Sequence, residues 1–79
     1  MGLQEYEMVR VRQVRSSPEE YDGWRINQRT PRIGDVGTVL TILEAPGLPM
    51  RYVVECSQPD GITVWLSDFQ EEELERLEV

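Results

Sequence analysis

The residues best equipped for chemistry are carboxylates and one thiol. The chain has 15 Asp and Glu, eight arginines, one cysteine, no lysine and no histidine. Glu71-Glu72-Glu73 and Glu19-Glu20 offer the adjacent carboxylates that general acid/base pairs and metal clusters use. Such groups work only when shielding or a charged neighbour shifts their pKa. Runs of glutamate on a loop and a terminal turn are expected to be solvated instead. Without histidine there is no Ser-His-Asp or Cys-His nucleophile, and no base stands near Cys56 in sequence. A zinc site of the usual kind is excluded for the same reason. The expectation is a protein that is not an enzyme, with no catalytic residues, no metal and no cofactor. Cys56 reads as a small buried hydrophobe.

Gly34 and Gly37, in Pro31-Arg32-Ile33-Gly34-Asp35-Val36-Gly37-Thr38-Val39, raise the question of a phosphate-cradling loop. A Walker loop needs a Gly-Lys-Ser/Thr end, and this chain has no lysine. A dinucleotide fingerprint needs a helix after the glycines. Here β-branched residues follow, and they favour strand. Gly34 is therefore expected to supply a turn conformation that other residues avoid. Gly37 is expected to mark a bulge or a close backbone crossing.

The best binding candidate is the aperiodic stretch from Ser16 to Arg32. It concentrates Glu19, Glu20, Tyr21, Asp22, Trp24, Arg25, Arg29 and Arg32. Aromatic residues and arginine are enriched at protein interfaces. The alternative is that Trp24 folds back as a lid on the core. Trp65 joins the partner-binding set if Val64 and Leu66 point inward; otherwise it belongs to the core. The expected partner-binding residues are Glu19, Tyr21, Asp22, Trp24, Arg25, Arg29, Arg32 and Trp65.

A small scaffold must position these residues. Seventy-nine residues make one domain, 1–79, of marginal core size, so a partner subunit would help to stabilise it. Glu5 to Val14 reads as the first strand, with Val9 and Val11 on one face and Arg10 and Arg12 on the other. Gly34 to Leu43 reads as the second, with Val39 and Ile42 toward the core. Arg51 to Cys56 reads as the third, with Tyr52, Val54 and Cys56 on one face. Two prolines keep Glu44 to Met50 a loop. Pro59-Asp60-Gly61 makes a turn, and Ile62 to Leu66 is the fourth strand. Ser67 or Asp68 is expected to cap a short helical turn. Leu74 and Leu77 would pack on one face of that turn, and Leu77 to Val79 would form a last short strand. The list predicts an all-β fold, a small, partly open barrel of about five strands. It has a long first loop and a short helical turn near the C-terminus.

"GDVGTVLTI" resembles the Gly-Asp-x-Gly-x-Val-x-x-Ile strand of SH3-like barrels, including the KOW-type motif. "YVVECSQPDGITVWLSDFQEEELERL" is similar to the closing half of small bacterial SH3-like domains of unknown function. The same plan occurs in PsaE-like photosystem accessory subunits. The resemblance spans residues 8–14 and 33–78. It implies a scaffold and brings no catalytic residues. The loop from Ser16 to Thr30 is longer and richer in Tyr, Trp and Arg than those domains lead one to expect. The acids beside Tyr21 and Trp24 resemble the peptide-binding loop of eukaryotic SH3 domains, but the aromatic signature that precedes that loop is missing.

Charge bears on the partner. Residues 1–33 hold six arginines against five acids, and residues 34–79 hold two against ten. An acidic total of −7 argues against a nucleic-acid backbone. The functional expectation is a protein-interaction module or accessory subunit that works through the long loop, with a protein partner or self-association. The alternative is an RNA- or ribosome-associated KOW-like barrel, prompted by Arg10 and Arg12. No run is apolar enough to span a bilayer, and the first residues lack the plan of a signal peptide. A cytoplasmic location and no membrane contact are therefore expected.

Overall fold

The computed structural model describes residues 2–77. The chain runs β1 (Met8–Val11), α1 (Pro18–Tyr21), β2 (Val36–Leu43), β3 (Arg51–Ser57), β4 (Thr63–Phe69), a 3-10 turn (Glu71–Glu73) and β5 (Leu74–Arg76). The strands form one antiparallel sheet in the order β4-β3-β2-β1-β5, which is open. The fold is a small all-β fold, as the sequence predicts. Among the described residues no helix is long and apolar enough to cross a membrane.

Alternation sets the core. Val9 and Val11 of β1 point inward, as do Tyr52, Val54 and Cys56 of β3. In β2 the expected inward pair, Val39 and Ile42, is three residues apart, which a regular strand cannot place on one face. A register shift between Val39 and Thr41 resolves this. Leu40 is the extra residue, and it resets the alternation so that both side chains reach the core.

Both glycines act as expected. Gly34 has φ +97°. Gly37 lies where the backbone of the neighbouring strand β3 comes very close: a Cβ there would sit 2.6 Å from the Glu55 carbonyl oxygen and 2.7 Å from Val54 Cγ1.

The C-terminal third departs from expectation. β4 does not stop at Leu66 but continues to Phe69. Ser67 and Asp68 therefore cap no helix. Ser67 points inward and donates to the Tyr21 carbonyl at 2.6 Å. Asp68 pairs with Arg51 of β3 at 2.6 Å. The turn begins instead after Gln70, whose N–H donates to the Glu73 carboxylate at 2.9 Å. Leu74 is buried but opens β5, so the last strand comes three residues earlier than expected. Leu77 lies past its end and donates its N–H to the Met8 carbonyl at 3.0 Å. Glu78 and Val79 lie outside the described residues.

Candidate functional site

The long loop between β1 and β2 is closed at its base by backbone. Gly34 N–H donates to the Val11 carbonyl and Val11 N–H to the Asp35 carbonyl, both at 2.8 Å. Three further anchors hold what lies between.

The first anchor is Asp35. Its carboxylate takes both terminal nitrogens of Arg29, at 2.7 and 3.0 Å. It also accepts the Arg32 backbone N–H and the Trp65 indole N–H, each at 2.9 Å. Burial pushes the carboxyl of Asp35 toward its neutral form, but these donors outweigh burial and hold its pKa below the ordinary value.

The second anchor is the pair Tyr21 and Glu73, both buried. The Tyr21 hydroxyl donates to the Glu73 carboxylate through a short hydrogen bond. It also accepts the backbone N–H groups of Arg15 and Ser16 at 3.0 Å each. Burial first, and the bond to Glu73 second, raise the phenol above its usual pKa. Glu73 thus corrects the expectation that all three glutamates of its run are solvated. The 3-10 turn aims this one inward, where backbone and phenol donors meet it. It works as a structural acceptor. The described residues contain no cluster of His, Cys, Asp and Glu that could hold a metal ion.

The third anchor lies along the outer edge of β4. Gln28 N–H donates to the Val64 carbonyl at 2.8 Å, and Asn27 Oδ1 accepts the Leu66 N–H at 2.9 Å. The loop thereby covers an edge that would otherwise offer unpaired groups to another strand.

Two of the expected partner-binding residues are corrected by their burial. Tyr21 is 1 % exposed and Trp65 is 0 % exposed. Tyr21 packs on Phe69 at 5.2 Å between ring centroids, and Trp65 meets the same ring edge-on at 5.5 Å. Trp65, Ser67 and Phe69 take the inward face of β4 and Leu66 lies on the other, while Val64, the extra residue at the register shift between β3 and β4, packs against the core. Neither aromatic has surface to give a partner.

The remaining six residues divide. Glu19, Asp22 and Arg29 come together, with Pro18, Asn27 and Thr30, around a groove of about 260 Å³. Trp24 and Arg25 form the exposed tip of the loop beside Ile26, and Trp24 is 45 % exposed. Trp24 is thus not a lid. Arg25 has φ +58°, a left-handed conformation that costs a residue with a Cβ roughly 1 kcal/mol. Its N–H donates to the Asp22 carbonyl at 3.1 Å, which closes the tight tip. Arg32 is exposed and contributes its backbone to Asp35. Among the described residues the guanidinium groups of Arg25 and Arg32 make no hydrogen bond or ion pair, whereas Arg10 pairs with Glu75 at 3.2 Å and Arg12 donates to the Glu72 carbonyl at 2.9 Å.

Sequence reasoning missed Asp35, Glu73 and Asn27 as anchors. Asp35 stood out only as a turn residue beside Gly34. Nothing local separates Glu73 from Glu71 and Glu72.

A second groove, of about 280 Å³, lies at the end of the β2–β3 hairpin. It is lined by Leu43, Glu44, Ala45, Leu48, Pro49, Arg51 and Gln70. Its floor is mostly apolar, and Leu48 is 67 % exposed.

No protein-family model, curated protein or solved structure matches this chain.

Proposed function

We propose that the chain is a non-catalytic protein-interaction module, an accessory subunit on an SH3-like scaffold of bacterial type, acting in the cytoplasm. Its working surface is the tip of the long loop, Trp24 and Arg25, with the adjoining groove lined by Glu19, Asp22 and Arg29. One observation carries this reading. The loop is rigidly tied at Asp35, at Tyr21–Glu73 and along the β4 edge, yet it holds a tryptophan, an isoleucine and an unpaired arginine in solvent. Apolar surface left exposed on a fixed loop has no stabilising role in its own chain. A pre-ordered aromatic and an arginine offer a partner contact area at low entropic cost. The strand order and the 3-10 turn before the last strand support the SH3-like reading.

The nucleic-acid alternative has less behind it, because Arg10 and Arg12 bind acceptors of their own chain.

The test is capture of partners from lysate on immobilised protein, with the double variant Trp24→Ala/Arg25→Ala beside wild type. A partner retained by wild type and lost at least tenfold by the variant is the expected result. Equal retention by both, or none by either from a lysate that contains the chain itself, would overturn the loop reading.

A further inference from the structure

Two surfaces of this chain are unpartnered, and they complement one another. One is the loop tip, where Trp24 and Ile26 flank Arg25. The acids nearest to the tip do not neutralise it. Asp22 turns its carboxylate back to accept the Asn27 N–H at 3.2 Å, and Glu19 and Glu20 belong to α1, before the turn.

The other is the groove at the β2–β3 hairpin, where Leu43, Leu48 and Pro49 supply an apolar floor. Its two charged lining residues are Glu44 and Arg51. Arg51 is committed to Asp68 at 2.6 Å, while Glu44 is exposed and makes no hydrogen bond or ion pair among the described residues. Glu71 adds to the negative field there, since it follows Gln70 of the groove lining and with Glu44 acts on Tyr52 of the same hairpin, whereas Glu72 faces Arg15 at 4.0 Å. The groove is therefore apolar with an acidic rim. The tip cannot fill it within one molecule. Asn27 and Gln28 bind the loop to the β4 edge, and no loop residue lines the groove.

We infer that the occupant of this groove is a second copy of the chain, which inserts Trp24 and Ile26 and sets Arg25 against Glu44. The inference rests on the loop tip as the working surface and names its partner. An apolar contact ringed by one opposite-charge pair has the composition of a small interface. Opposite charge at the rim sets the register more than the affinity. Each copy carries one tip and one groove, so the contact links copies either in a reciprocal pair or in a larger array. A 79-residue chain with a small core also gains stability from such association.

Sedimentation velocity from micromolar to millimolar concentration tests this with two charge reversals on exposed residues, Arg25→Glu and Glu44→Arg. Wild type is expected to gain mass with concentration. Each variant alone should associate at least tenfold more weakly, because its tip and groove then carry the same sign. An equimolar mixture of the two variants should recover association, since each tip again meets a groove of opposite sign. Thermal melts of both variants guard against misfolding. Wild type that stays monomeric throughout overturns the inference. So does an oligomer indifferent to both reversals, or a mixture that fails to associate. A monomer that still captures another protein through Trp24 and Arg25 would sink self-docking and leave the loop-tip reading standing.

Discussion

The Asp35 carboxylate accepts the indole N–H of Trp65 at 2.9 Å, so the root of the long loop is bonded directly to the largest side chain of the core. The same carboxylate holds Arg29 by two bonds. Asp35→Ala leaves a buried indole N–H without an acceptor and a half-buried guanidinium with only the Thr30 carbonyl. The expected loss is about 3 kcal/mol of unfolding free energy, read by urea denaturation. Asp35→Asn keeps an acceptor for Trp65 and should cost less than Asp35→Ala.

The pH dependence of stability follows from the directions of two shifts. Asp35 has a folded pKa below its ordinary value. Its contribution is complete above about pH 4 and is lost as pH falls through the lowered folded value. The urea-midpoint gap between wild type and Asp35→Asn should be constant near neutrality and shrink below about pH 4. Tyr21 has a raised pKa. Its contribution is complete below about pH 10 and is lost as pH rises through the raised folded value. Tyr21→Phe should therefore lose less stability than wild type on alkaline titration.

At neutral pH the same Tyr21→Phe change removes a donor from the buried Glu73 carboxylate and an acceptor from two backbone N–H groups. A cost of about 2 kcal/mol is expected. Amide exchange should quicken at Arg15 and Ser16 more than in β3. Uniform quickening would mean that Tyr21 only fills space.

Gly37 and Gly34 should separate steric crowding from backbone strain. Gly37→Ala drives a methyl into the Glu55 backbone, and at least about 2 kcal/mol is expected. Gly34→Ala meets no atom within 4 Å but must hold φ +97°, for about 1 kcal/mol. Equal costs would contradict the close approach of β3 at Gly37.

The two tryptophans should differ in kind. Trp24→Ala should change stability by less than about 0.5 kcal/mol, as exposed positions do, while Trp65→Ala should cost about 4 kcal/mol. Acrylamide should quench Trp24 fluorescence and spare Trp65.

The sequence by itself located the first four strands and the punctuation between them, but not where β4 ends or β5 begins. Alternation at Val9 and Val11, and at Tyr52, Val54 and Cys56, is local. So are the demands of Gly34 and Gly61 for left-handed backbone. It also marked the loop from Ser16 to Arg32 as unlike its surroundings. The tertiary structure alone decided which aromatics face water. Tyr21 and Trp24 stand three apart on one aperiodic loop, yet one is buried and the other is not. Contacts between distant side chains made that choice. Phe69 and Glu73, each more than forty residues away, supply the ring and the carboxylate that draw Tyr21 inward. Trp65 was equally undecided, because Val64 and Leu66 are as apolar as Trp65 and Phe69. The register of β4 against β3, and the acceptor at Asp35 thirty residues upstream, settled its side. Periodicity reports which residues share a face; only long-range partners decide which face is the inside.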